Sequence, residues 1–314
     1  MSAPKKKKHG HRLVGYLLLV MLVFAVVKGY PYIQPVVAET FPVVADKFPV
    51  VAATGPNKLY SEHAIMLSLE DGKVLFEKSS KERTYPASLT KMMTALLAIE
   101  ELPDLQQAIG LTHADFNGLY EQGAALAGFR AGEEVRAIDL LYGTLLPSGA
   151  EAATALAQAV SGTEEAFVER MNDKAQELGM KHTHFTNSSG LQDPDHYTTV
   201  EDMALLLQYA LHNDEFRTIF TTQRHSTQPT NLNETGMTVY NSMFERLESS
   251  SFGNGTILGG KTGYTDEAGL CLASLGTTLT GKEYIVVTTN APGSGKTKPF
   301  HILDALRLYE KYAN

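Results

Sequence analysis

Cysteine is nearly absent from this 314-residue chain: Cys271 stands alone, so no intramolecular disulfide can brace the fold. It lies two residues past Gly269 in an apolar, strand-like run, and reads as a packed core thiol rather than a nucleophile. Positive charge is also short. With 27 Lys and Arg against 35 Asp and Glu, the net charge of −8 leaves no basic face for nucleic acid. No complete metal site is visible, because His182-Thr183-His184 has zinc-ligand spacing but no further histidine or carboxylate cluster joins it. A phosphate loop is excluded too: Gly293-Ser294-Gly295-Lys296-Thr297 resembles the end of one, but Asn290 stands where its first glycine belongs. Neither a metal nor a cofactor is expected.

What is present begins with an export signal. Lys5 to Lys8 and Arg12 precede an apolar run from Leu13 to Val27, a basic-then-apolar order that places the basic end in the cytoplasm. Fifteen residues is short for a membrane span and long for a signal core. We expect residues 1–35 to act as an uncleaved signal anchor holding the chain on the outer face of a bacterial cell membrane. The alternative is cleavage after Val36-Val37-Ala38 and secretion. Pro35, Pro42, Pro49 and Pro56 then punctuate a repeat, VVAETFP, VVADKFP and VVAATGP. Proline disfavours helix and biases its neighbours to extended forms, so residues 36–56 read as a semi-rigid stalk or a plain disordered spacer. Residues 57–314 are expected to form the globular domain, at 43% hydrophobic and 20% charged composition for the whole chain.

Within that domain three polar groups stand out: Ser88-Leu89-Thr90-Lys91, Ser148-Gly149-Ala150 and Lys261-Thr262-Gly263. A serine hydroxyl is a poor nucleophile until a base takes its proton, and a lysine three residues on along a helix is within reach. Leu89, Met92, Met93, Leu96 and Leu97 repeat at helical spacing and predict a buried helix from Pro86 to Glu100. Lys91 can act only when neutral, and burial with a second cation, Lys261, would lower its pKa. Ser88 near a helix N-terminus would also meet free N–H groups suited to an oxyanion.

The surroundings extend the pattern. AIMLSLEDGKVLFEK (64–78), YPASLTKMM (85–93), DLLYGTLLPSGAEAA (139–153), FVERMNDKAQELGMKHTHFTNSSG (167–190) and GGKTGYTDEAGLCLAS (259–274) occur in that order. In these blocks the chain resembles the serine D-alanyl-D-alanine carboxypeptidases, the low-molecular-mass penicillin-binding proteins related to class A β-lactamases. The resemblance implies a mixed α/β fold, with an antiparallel sheet flanked by helices and a helical subdomain. It implies a peptidoglycan stem peptide ending in D-Ala-D-Ala as substrate and β-lactams as covalent inhibitors. Ser88 would be the nucleophile and Lys91 its base, with Ser148 and Lys261 relaying the proton to the leaving amine. The N–H groups of Ser88 and Tyr264 would hold the oxyanion, with Gly263 between Thr262 and Tyr264 in the substrate-binding strand. Thr262 and a cation would bind the terminal carboxylate. Relatives use an arginine beyond the third motif; here the segment offers Lys298 or His301 instead.

The chain departs from the family at Ala150, where asparagine is usual and its amide can bond a substrate amide. That leaves proton relay intact and puts substrate positioning in doubt. Glu151 next to it would point away on a helix. A β-lactamase needs a deacylating glutamate, and the single Leu-Asn, Leu232-Asn233, has Pro229 where that glutamate would stand. A poorly turning-over penicillin-binding sensor is the third reading. Many members of the family carry a second, β-rich domain and a C-terminal anchor helix; the sequence to Asn314 shows neither, which makes the N-terminal segment the expected tether. Alternation around Asp71-Gly72 predicts a hairpin, Tyr284 to Thr289 a further strand, and Ala137 to Leu146, Ala150 to Val160, Glu164 to Leu178 and Thr199 to Leu211 helices.

Overall fold

The computed structural model describes residues 59–313; the basic tail, apolar run and proline repeat lie outside them. A six-stranded antiparallel sheet runs in the order β2-β1-β10-β9-β8-β7. Its strands are β1 (His63–Ser68), β2 (Val74–Lys78), β7 (Ser251–Phe252), β8 (Gly255–Thr265), β9 (Gly269–Thr278) and β10 (Glu283–Ala291). The hairpin expected around Asp71-Gly72 joins β1 to β2. Small two-stranded ribbons pair β3 (Ala108–Gly110) with β4 (Glu134–Arg136), and β5 (Arg224–Ser226) with β6 (Thr238–Tyr240).

Strand alternation gives the sheet two apolar faces. Ile65, Leu67, Ala273, Leu275, Ile285 and Val287 face one large core, while Ala64, Met66, Leu272, Tyr284 and Val286 face another. The first core is closed by α1 (Lys91–Glu101), α2 (Ala137–Leu145), α3 (Ala150–Ser161), α4 (Glu164–Glu177), α5 (Val200–Ala210) and α6 (Asp214–Thr221). The second is closed by α7 (Phe300–Tyr312), through Ile302, Ala305, Leu308 and Tyr309. Capping fixes the helix starts that composition suggested: the Thr163 hydroxyl accepts from the Ala166 N–H, and the Thr199 hydroxyl from the Asp202 N–H. Helices α6 and α7 were not foreseen. Helix α6 is only 8 residues long, and the apolar stripe of α7 makes sense only against the sheet face it covers. Among the described residues no helix is long and apolar enough to cross a membrane.

The expected helix from Pro86 to Glu100 is two pieces. A 3₁₀ turn spans Ala87–Thr90, and the α-helix begins at Lys91. Ala87 takes φ +46°, a left-handed value that costs an alanine about 1–2 kcal/mol. The strain lifts Ser88 out of the helix onto a tight corner above it.

Candidate active site

Lys91 is 2% exposed, and its Nζ donates to Ser88 Oγ at 3.1 Å and to the Ser189 carbonyl at 2.5 Å. The second bond aims the amine, since the backbone oxygen holds Nζ beside the hydroxyl. Burial lowers the Lys91 pKa to about 7, and the Glu151 carboxylate opposes that fall. Lys261 is fully buried, with Nζ donating to the Thr262 carbonyl at 2.8 Å. Its pKa is driven well below the usual lysine value by burial first and by repulsion from Lys91 second. Of the two causes expected for Lys91, burial is the one that acts there, and the like-charge effect falls on Lys261 instead.

Strand β8 brings the third motif to the nucleophile. Beyond Thr256 its outer edge carries no paired strand and abuts the Ala87–Thr90 turn. Gly263 permits the approach, because a Cβ there would meet the Ser88 N–H nitrogen at 3.1 Å and the Ala87 Cβ at 3.2 Å. Tyr264 follows, 39% exposed, with its hydroxyl bonded to Asp266 at 2.5 Å. Thr262 is half-buried, its hydroxyl paired with Ser242 Oγ at 2.6 Å. Cys271, in register with Gly263, is fully buried, and burial pushes its thiol up to about 12, consistent with an inert core thiol.

Ser148 lies just before α3 with φ +73°, 6% exposed, and its Oγ has no hydrogen-bond partner. A buried hydroxyl in a strained turn, left open for a proton, suits a relay. Gly149 lets the turn close, since a Cβ there would stand 2.7 Å from the Ala127 Cβ. Glu151 is fully buried and does not simply point away. Its Oε1 accepts the N–H groups of Ala127, Gly128 and Phe129 at 2.7, 2.9 and 3.3 Å, tying that loop to the Ser148 turn. Replacing Glu151 by alanine strands those donors. It is expected to destabilise the fold by about 3 kcal/mol, whereas Glu151→Gln keeps a carbonyl acceptor and loses less; denaturant unfolding of the two variants checks this.

Ala150 is 1% exposed, and its N–H donates to the Ala125 carbonyl at 2.8 Å. Ala150 is thus buried with its backbone bonded to the same loop that crowds Gly149. Restoring asparagine is therefore expected to overpack the turn, costing about 1–3 kcal/mol in stability and giving no gain in kcat/KM. Thermal unfolding and turnover of Ala150→Asn measure both.

His301 does not serve as the carboxylate-binding cation expected of it. It lies in the first turn of α7, fully buried, neither ring nitrogen has a partner, and burial lowers its pKa to about 3, with Arg246 adding to the fall. Lys298 is exposed on the loop before α7. Sequence reasoning missed Arg246, which lies one short turn beyond Ser242 and donates through Nη2 to the Thr297 carbonyl at 2.7 Å. No local pattern announces it, because it precedes Lys261 rather than following it.

A family profile described as D-alanyl-D-alanine carboxypeptidase, peptidase S11, matches residues 50–293. The chain belongs to that family. It is 34% identical over 218 residues to the D-alanyl-D-alanine carboxypeptidase DacF of Bacillus subtilis, covering 68% of this chain and 53% of the relative. It is 32% identical over 206 residues to DacB2 of Mycobacterium tuberculosis, covering 65% of this chain and 66% of the relative. The chain thus spans about half to two-thirds of the length of these carboxypeptidases. Among solved structures, the Streptomyces K15 DD-transpeptidase is similar with a TM-score of 0.73 and 26% identity, over 82% of this chain and 99% of that one. Penicillin-binding protein 5 of Haemophilus influenzae follows at TM-score 0.71 and 25% identity, over 83% and 73%. The S11 family fold is the sheet-and-helix architecture described above.

Proposed function

We propose that this S11 family member is a serine DD-carboxypeptidase that removes the terminal D-alanine from peptidoglycan stem peptides through an ester at Ser88. The observation that carries the reading is the buried Lys91 amine, 3.1 Å from Ser88 Oγ with a pKa near 7. The Ser88 oxygen adds to the carbonyl carbon of the penultimate D-alanine while its proton passes to Lys91. The N–H groups of Ser88 and Tyr264 hold the oxyanion. As the C–N bond breaks, the departing amine takes a proton through Ser148 and Lys261, and D-alanine leaves. Water then cleaves the ester and restores Ser88. The unpaired edge of β8 accepts the peptide as an added strand.

For the terminal carboxylate, Thr262 and Arg246 form the supported pair. Arg246 is tied to the 294–298 loop where a cation was sought, and a guanidinium can grip a carboxylate with two bonds. Lys298 stands on the same loop. The basic segment Lys5 to Lys8 and the apolar run Leu13 to Val27 support anchorage at the outer face of the cell membrane.

The full chain incubated with a diacylated tripeptide ending in D-Ala-D-Ala should release free D-alanine. Normal penicillin acylation with no release would replace the carboxypeptidase by the sensor reading, and rapid release of hydrolysed penicillin would favour a β-lactamase.

A further inference from the structure

The segment 186–198 presses against the turn that carries Ser88 and the helix that follows it. The Ser189 carbonyl takes Lys91 Nζ at 2.5 Å, and the Ser188 carbonyl takes the Thr94 hydroxyl at 2.6 Å. Gly190, at φ +80°, stands so close that a Cβ on it would fall 1.9 Å from the Ala87 carbonyl oxygen. The same segment delivers one more side chain to the turn, that of His196.

His196 is 2% exposed and packed edge-on against Phe185. Its Nδ1 faces the Thr186 N–H at 3.0 Å, and an N–H can only donate, so Nδ1 is the unprotonated acceptor. The ring proton therefore sits on Nε2, which lies 2.8 Å from Thr90 Oγ1 and donates to it. That leaves the Thr90 hydroxyl proton for the Ala87 carbonyl, at 2.8 Å. Every link in this chain has one direction, and it runs from the main chain of Thr186 to the carbonyl of Ala87. Burial lowers the His196 pKa to about 4, with Asp193 opposing the fall and His184 and Lys91 adding to it. The neutral ring that the chain requires thus persists where Lys91 titrates.

The Ala87 carbonyl is half of a peptide plane whose other half is the Ser88 N–H. In a trans peptide the two point in opposite directions, so a bond that fixes the carbonyl fixes the N–H. Left-handed backbone on an alanine persists only where the surroundings enforce it, and at φ +46° Ala87 needs such a restraint. Charge drawn toward the bonded carbonyl oxygen also makes the N–H a better donor. We propose that His196 is a positioning residue: through Thr90 it aims the Ser88 N–H at the oxyanion that forms as Ser88 is acylated, without touching the substrate. The inference rests on Ser88 as nucleophile and on its N–H as an oxyanion donor, and it adds the group that holds that donor in place.

The test compares full-chain variants by stopped-flow acylation with a fluorescent penicillin, which separates the half-saturating concentration from the limiting rate. An oxyanion donor acts on the transition state, so the rate should change and half-saturation should not. His196→Gln keeps a donor near the Nε2 position and loses the acceptor; His196→Asn keeps an acceptor near the Nδ1 position and loses the donor. The asparagine variant is expected to acylate about ten-fold more slowly and the glutamine variant no more than about two-fold, the scale of one hydrogen bond at a donor that is displaced rather than deleted. A side chain that merely holds the loop would give the opposite order, because the loop bond is the one asparagine retains. Thr90→Val should match His196→Asn, the two combined should be no slower than either, and Thr90→Ser, which keeps the hydroxyl, should stay near wild type. Unfolding temperatures are measured alongside. Equal rates for the glutamine and asparagine variants, or a loss confined to half-saturation, overturn the positioning role, and Thr90→Val as fast as Thr90→Ser overturns it even if the His196 variants do not fold. D-alanine release from the diacylated tripeptide is followed in the same variants. Release with both His196 variants unimpaired keeps the carboxypeptidase and removes the positioning role; the expected order of acylation rates without release from any variant or wild type does the reverse.

Discussion

Penicillin is expected to leave one covalent adduct on the wild-type chain and none on Ser88→Ala. The β-lactam ring opens as Ser88 Oγ bonds its carbonyl carbon, and only the base beside that oxygen makes it reactive at neutral pH. Among the groups gathered at the site Lys91 is the one whose nitrogen reaches Ser88 Oγ, at 3.1 Å. Removing the oxygen removes the bond itself, so the rate should fall by at least about 10⁴-fold. Intact-protein mass spectrometry gives the answer directly, with peptide mapping to locate the label. An adduct of equal yield on the alanine variant would sink the assignment.

The second large effect concerns protons. Acylation by penicillin should rise about ten-fold per pH unit below pH 6 and flatten above pH 8, because only neutral Lys91 can accept the serine proton and its pKa is near 7. Lys261 is pushed in the same direction, so the observed midpoint belongs to the pair. The sign for stability follows from the same shift. A lysine whose folded pKa is below its unfolded value near 10.5 binds its proton more readily in the unfolded chain between about pH 7 and 10.5. Its burial therefore weighs against folding at and below pH 7, and stability rises with pH across that window. Lys91→Gln should lower the acylation rate by about 10²–10⁴-fold and abolish the titration. Glu151→Gln, which removes a negative charge acting on Lys91, should move the midpoint to lower pH. A rate flat from pH 5 to 10 would eliminate the neutral-lysine mechanism.

The parts of this site that sequence revealed are those written in consecutive residues. Ser88 and Lys91 sit three apart, and Lys261 to Tyr264 lie on one strand, so the chemistry and the element that holds it were visible together. The sheet followed from alternation and from the turn at Asp71-Gly72. The rest comes from main-chain groups and from partners far along the chain. The Ser189 carbonyl that aims Lys91 is 98 residues from it, and nothing about a serine advertises its backbone oxygen. Glu151 reads as an ordinary helix-surface residue until the 127–129 loop folds over it. His301 failed as a candidate because a residue type says nothing about which side of a helix faces the core.

Ala87 and Ser148 are the two non-glycine residues that hold left-handed backbone on either side of the reaction centre. Glycine would relax both turns, so selection for thermal tolerance alone would pull these positions toward glycine and loosen the corner that presents Ser88. The two corners differ in what a glycine would remove: at 148 it would take the relay hydroxyl as well as the strain, whereas Ala87→Gly would change backbone stiffness alone.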